Sequence, residues 1–135
     1  MMSFPTAVRT CLRKYAVFEG RASRSEFWFF RLFSLLFIAG TFMIFAMLAS
    51  LVGEEAKGLI FGLAFVICIG VLALPLVACS VRRIHDTNAS GWWYLTWLIP
   101  SFGGLISFAW ACIPGTEGEN RFGGDSTKQI AAVFE

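Results

Sequence analysis

Apolar residues fall into three long blocks along the chain, separated by short polar segments. Residues 32–53 are a run of 22 uncharged positions, 58–81 a run of 24 and 91–116 a run of 26. At the rise of an α-helix the first run is about 33 Å long, enough to cross a hydrocarbon core of about 30 Å, and the second matches it. Ser23-Arg24-Ser25-Glu26 reads as a capping box. The Ser23 hydroxyl accepts from the Glu26 amide while the Glu26 carboxylate reaches back to the Ser23 amide. A first span is therefore predicted over residues 24–53, with Arg31 just inside it and able to snorkel to the headgroups. Glu54-Glu55-Ala56-Lys57 is too short a connection for anything but an antiparallel neighbour, so a second span follows over 58–83. Gly58 and Gly62 have the spacing that permits close helix approach, and Pro75 is expected to kink the helix.

The third run is uneven. Trp92, Trp93, Tyr94 and Trp97 crowd its start as an interfacial aromatic belt does. Pro100-Ser101-Phe102-Gly103-Gly104 then interrupts it near the middle. Two arrangements fit: one kinked crossing, or two half-length helices forming a re-entrant hairpin. The hairpin is preferred because a proline and two glycines fall together. Ahead of the spans, residues 4–18 repeat helically. Phe4, Val8, Cys11, Leu12, Tyr15 and Phe18 lie within about 120° of one another, with Arg9 and Arg13 opposite. Pro5 suits a first turn and Ser3 a cap. Such a helix beside a span is expected to lie in the membrane interface; packing against the rest of the protein is the alternative. Residues 117–135 read as a polar tail.

Composition confirms the class. Of 135 residues, 57% are apolar and 15% charged, with 15 Phe and 5 Trp. Soluble domains run at about 45–50% apolar and about 25% charged. A soluble globule this small has too little interior to hide that much apolar surface. The expected fold is an all-α integral membrane protein in a single domain: an amphipathic N-terminal helix, an antiparallel transmembrane pair and a third apolar segment broken at residues 100–104. Net charge is +2, too small for a nucleic-acid partner. Its distribution is more telling. Arg9, Arg13, Lys14, Arg21, Arg24 and Arg31 fall in the first 31 residues, and Arg82 and Arg83 at the far end of the second span. Glu54, Glu55 and Lys57 sit between the spans. The positive-inside rule puts the N-terminus and the 82–90 loop in the cytoplasm. The first long apolar run begins too late for a cleaved leader, so the N-terminus is read as retained. Cys11, Cys68, Cys79 and Cys112 have no metal-binding spacing and read as small apolar helix residues. No metal or cofactor is expected.

Three polar segments, in order and separated by apolar runs, carry a family likeness. They are Tyr15…Phe18-Glu19-Gly20-Arg21-Ala22-Ser23-Arg24-Ser25-Glu26-Phe27-Trp28, then Arg82-Arg83-Ile84-His85-Asp86-Thr87…Ser90-Gly91-Trp92-Trp93, then Pro114-Gly115-Thr116-Glu117-Gly118-Glu119-Asn120-Arg121-Phe122-Gly123. Together they resemble the bacterial inner-membrane proteins of the domain of unknown function 805 family, over about residues 15–125. The resemblance implies a bacterial inner-membrane location and an architecture, and no reaction.

The same segments hold the candidate chemistry. Arg21 and Arg24 flank a helix N-terminus and Arg82 and Arg83 end the second span; guanidinium groups and helix amides both favour phosphate or carboxylate. With Arg121, they make either an anion or phospholipid-headgroup site or ordinary positive-inside anchoring, and the anchoring is preferred. His85-Asp86 is the one place for acid–base chemistry. Neighbours on a helix point about 100° apart, however, and a structural Asp86 is favoured, bonding nearby backbone or pairing with an arginine of the first segment. Glu26 is expected to pair with Arg82 or Arg83, since buried charge must be neutralised. The candidate binding set is Arg21, Arg24, Glu26, Arg82, Arg83, His85, Asp86, Asn120 and Arg121, with no catalytic residue assigned. Anionic phospholipid headgroups, a second copy of the chain or a membrane protein are the expected partners. A binding or scaffolding module leads, ahead of a small transporter or channel subunit acting as an oligomer, and ahead of an enzyme acting on lipid-linked substrate.

Overall fold

The computed structural model describes residues 2–100 and 102–124. Positions 125–135 of the expected tail, and Ser101 of the expected break, lie outside the described residues. Helix α1 (Phe4–Arg13) is followed by α2 (Arg24–Ala49) and α3 (Glu54–Asp86). A 3-10 helix over Gly91–Leu98 and a short α4 (Gly103–Cys112) complete the order. The protein is all-α, and α2 and α3 are each long and apolar enough to cross a membrane.

The Ser23 hydroxyl caps α2 as the sequence predicts, accepting from the Glu26 amide at 3.2 Å. The reciprocal half of the box does not form, because the Glu26 carboxylate turns instead to Arg82. An ion pair with a buried guanidinium holds that carboxylate more strongly than a backbone amide does. The first span stops at Ala49 rather than residue 53. The Ser50 hydroxyl bonds back to the Met47 carbonyl at 2.7 Å, and this local bond competes with another helical turn. Helix α3 is longer than the predicted 58–83 at both ends. Glu54 and Glu55 start it, where carboxylates suit the positive end of the helix dipole. It runs unbroken as a helix through Pro75. At about 50 Å it carries Arg82, Arg83, His85 and Asp86 past its apolar stretch.

Outward faces of the pair are apolar: Leu35 is 65% exposed, Met47 73% and Leu59 70%. Inside, the two largest fully buried side chains are Arg82 and Arg83. Burial is thus inverted relative to a soluble domain, as a hydrocarbon solvent demands. A compact apolar cluster of Cys11, Ala22, Phe27, Phe30, Cys79 and Ala111 lies near the charged end.

Helix α1 ends at Arg13, five residues before the predicted limit of 18. Beyond it the Tyr15 hydroxyl donates to the Gly70 carbonyl of α3. That reach carries the chain off the helical path, and Gly20 then turns it with φ +87°. The helix packs on the protein through Ala7 and Cys11, both fully buried, while Leu12 stays exposed. Phe4 meets Phe29 of α2 edge-on at 5.9 Å.

Residues 91–116 leave α3 and come back to it. The 3-10 helix and α4 fold against each other at Gly103, where an added Cβ would lie 2.7 Å from the Trp97 Cα. Trp93 and Trp110 rings stand 6.2 Å apart across this turn. The returning chain is pinned at the end of α3 by Thr116 N–H donating to the Asp86 carbonyl at 2.8 Å. Arg121 donates to the Asn88 carbonyl at 2.8 Å.

That return can be read in cells. In a chain stripped of its own four cysteines, Lys57→Cys, Asn88→Cys and Arg121→Cys are labelled with a membrane-impermeant thiol reagent. Positions 88 and 121 should react from one side and 57 from the other. Reaction of 121 together with 57 would contradict the returning chain.

Candidate functional site

The charged end is built where four segments meet: the 20–26 stretch, the last two turns of α3, the tip of α1, and residues 113–123. Three arginines and two carboxylates are buried there. Arg82 is 0% exposed, Arg83 1%, Arg21 3%, Asp86 3% and Glu26 4%. Arg82 Nη1 donates to Glu26 Oε1 at 2.8 Å, joining α3 to the start of α2. Arg21 Nε donates to Asp86 Oδ1 at 2.8 Å, and Arg83 Nη1 donates to Asp86 Oδ2. One carboxylate therefore receives two guanidinium groups.

Three positive groups against two negative ones leave a surplus, and backbone carbonyls absorb it. Arg21 donates through Nη1 to the Gly118 carbonyl and through Nη2 to that of Thr116. Arg83 Nη2 donates to the Ile113 carbonyl, and its Nη1 also lies 3.4 Å from that of Ala22. Planar guanidinium forks suit such many-sided bonding in a way a lysine does not. The Nε atoms of Arg82 and Arg83 are buried without a hydrogen-bond partner among the described residues.

The same loop closes the C-terminal end of α3. Orphan carbonyls there need donors. Asn120 Nδ2 donates to the His85 carbonyl at 3.0 Å and to the Thr116 hydroxyl oxygen at 2.8 Å, while the Thr116 hydroxyl donates to the Asp86 carbonyl at 3.1 Å. Asn120 and Gly123 exchange backbone bonds of 3.0 Å each way, making an ordered turn, with Gly123 at φ +132°. His85 stacks on Phe122, ring centroids 3.9 Å apart and planes 3° from parallel, and its Nδ1 lies 3.3 Å from the Gly20 carbonyl. Gly115 is required by space, since a Cβ there would come within 2.1 Å of Asp86 Oδ2.

Of the nine sequence candidates, Arg21, Glu26, Arg82, Arg83, His85, Asp86 and Asn120 converge in this network. Arg121 lies at its rim, exposed, with its guanidinium 4.8 Å from the Phe122 ring. Arg24 is exposed and belongs to the surface. The Asp86 carboxylate faces Arg21 and Arg83, and the His85 ring faces Gly20 and Phe122, so each side chain of the adjacent pair has its own separate partners.

One neighbour escaped the sequence reading. Cys11 Sγ lies 3.5 Å from Glu26 Oε1 and 3.5 Å from Cys79 Sγ. The bond to Cys79 and burial push the Cys11 thiol upward, so it is a neutral thiol at physiological pH. Its distance from Cys79 along the chain, 68 residues, left no local spacing to notice.

Residues 15–124 match the family model described as a protein of unknown function, DUF805. The chain belongs to that family. It is 42% identical to the inner membrane protein YhaH of Escherichia coli over 116 residues, which is 84% of this chain and 90% of the relative. It is 35% identical to the inner membrane protein YhaI of the same organism, over 84% and 89% of the two chains. No solved structure matches. The matched stretch contains every member of the arginine–carboxylate network and excludes α1 apart from its exit.

Breaking one partner of a buried ion pair strands the other and costs about 3–5 kcal/mol. Asp86→Asn, which strands Arg21 and Arg83 together, is expected to lower stability by that much, as read by thermal unfolding in detergent. Gly115→Ala should also destabilise, by driving a methyl into the same carboxylate. Arg24→Gln, on the surface, should stay within about 0.5 kcal/mol of the parent.

Proposed function

We propose that this protein is a non-catalytic binding module of the inner membrane that holds anionic phospholipid on its cytoplasmic face. In this reading α2 and α3 both cross the bilayer. The N-terminus, the end of α3 and residues 113–124 lie on the cytoplasmic side, and 91–112 enter from that side and return to it. Support for the orientation comes from charge: Arg9, Arg13, Lys14, Arg24 and Arg121 flank one end of the helix pair, against Lys57 alone at the other.

The observation that carries the lipid reading is the setting of Arg31. It stands one residue before the long uncharged run, half-buried, with its guanidinium 5.6 Å from the Phe27 ring and 5.8 Å from the Trp97 ring. Among the described residues no carboxylate pairs with it. It borders an apolar groove of about 440 Å³ with Trp28, Leu32, Leu35, Ile38 and Leu76. A cation at the head of an apolar groove is complementary to a phosphate carrying an acyl chain. Aromatic faces on the guanidinium hold it in place without neutralising it. Arg24 and Arg121 add surface potential, about 1 kcal/mol for each basic residue near an anionic leaflet. The buried Arg21, Arg82 and Arg83, with Glu26, Asp86, His85 and Asn120, keep the frame that positions these exposed groups.

Lipid retained through purification tests the reading. The parent should carry anionic phospholipid in preference to zwitterionic lipid. Arg31→Gln should reduce that share several-fold, and Arg24→Gln with Arg121→Gln should reduce it further. Equal lipid content in the parent and all variants would sink the proposal. A selective ion leak from vesicles holding the purified chain would replace it with a conducting subunit.

A further inference from the structure

We propose that Cys11, Glu26 and Cys79 form a binding site for a soft divalent cation of the zinc class, stapling α1 to the α2–α3 pair. The three side chains come from three different helices and are all buried. Their ligand atoms lie within 4.8 Å of one another. Tetrahedral zinc binds thiolate sulfur at about 2.3 Å and carboxylate oxygen at about 2.0–2.2 Å, so its ligands stand about 3.8 Å apart for two sulfurs and about 3.5 Å for sulfur and oxygen. The protein has 3.5 Å between Cys11 Sγ and Cys79 Sγ and 3.5 Å between Cys11 Sγ and Glu26 Oε1. Both edges from Cys11 are already close to those of a coordination tetrahedron, and the third pair lies within 4.8 Å; a water would complete the fourth corner. Two sulfurs favour zinc over magnesium or calcium, which take oxygen donors.

Charge points the same way. Without an ion the cluster is neutral: two thiols, one carboxylate and the Arg82 guanidinium. When a divalent ion binds, each thiol loses its proton to solvent. Two thiolates and a carboxylate then carry three negative charges, and the ion with Arg82 supplies three positive ones. The charge of these four side chains and the ion together is the same in both states, so the exchange of two protons for one ion adds no net charge to the interior. Arg82 is placed for the second state. Its Nη2 lies 4.0 Å from Cys11 Sγ and its Nε is buried without a partner. A thiolate at Cys11 gives that guanidinium a second anion to face. Entry requires that α1 lift, which breaks the packing of Ala7 and Cys11 and the contact of Phe4 with Phe29.

The site is independent of the lipid reading, and Cys11 precedes the stretch that matches the family model. The experiment uses the full chain in detergent, stripped of metal under reducing conditions and titrated with cobalt(II) as a spectroscopic stand-in for zinc. The expected result is saturation at one ion per chain, with thiolate-to-cobalt charge-transfer absorption, the visible bands of a tetrahedral site and displacement by zinc. Cys11→Ser and Cys79→Ser should each abolish the charge-transfer signal. Cys68→Ser and Cys112→Ser should leave it unchanged. Thermal unfolding of Cys11→Ser without metal should match the metal-free parent, and only the parent should gain stability on adding zinc. Absence of charge-transfer absorption in the parent with all four thiols free, or its persistence in Cys11→Ser, would overturn the site. So would a Cys11–Cys79 disulfide that resists reduction, because it removes both ligands.

Discussion

Asp86 sits at the last position of a 33-residue helix, where the helix dipole by itself disfavours a carboxylate. Two guanidinium groups reverse that preference. Arg83 approaches from one turn back on the same helix, and Arg21 from a loop 65 residues earlier in the chain. Once Asp86 holds Arg21, the remaining N–H groups of that arginine have to be satisfied in a place without water. Residues 116–123 supply the oxygens. The path of the C-terminal segment follows from this requirement: the chain must turn back between the 3-10 helix and α4 to bring its later carbonyls to Arg21. The interruption at Pro100 and the close contact at Gly103 are the local means by which it does so.

The second ion pair, Arg82 with Glu26, is of a different kind. It links the two long helices directly and fixes the start of α2 against the end of α3. In a hydrocarbon solvent apolar contact between helices gives little preference for one rotation over another. A single buried charge pair at one end supplies such a preference, because every other rotation leaves a bare guanidinium or carboxylate. A buried ion pair contributes little net stability, yet an arrangement that separates its partners is strongly disfavoured because each charge is then left bare. That division suits α2 and α3, whose outward faces are apolar almost without exception.

Much of this was legible in the chain. The two long apolar helices, the Ser23 cap and the choice of Arg82 or Arg83 as partner of Glu26 follow from runs of uncharged residues, from the capping pattern and from the need to neutralise buried charge. The pairing of Asp86 with a first-segment arginine was one of the options the sequence left open. What stayed hidden has a common cause. Helix α1 stops at Arg13 because Tyr15 finds a carbonyl on α3, and Glu26 abandons the Ser23 amide because Arg82 is nearby. Cys11 meets Cys79 only after three helices have packed. Each is a tertiary contact that overrides a local preference, and periodicity records local preference alone. The 3-10 helix is similar: its aromatic residues suit several helical geometries, and the close approach at Gly103 selects one.

The carbonyl acceptors of Arg21 lie downstream of both long helices. Arg82 can meet Glu26 as soon as the two long helices are side by side, and Arg83 can meet Asp86 within one helix. Arg21, by contrast, keeps most of its donors unsatisfied until Thr116 and Gly118 have left the ribosome and come round to it. Without residues 113–118, Arg21 and Arg83 lose the carbonyls that accept from them, and the end of the helix pair is left open and cationic. Docking of that one short segment takes the charge of both guanidinium groups into the interior.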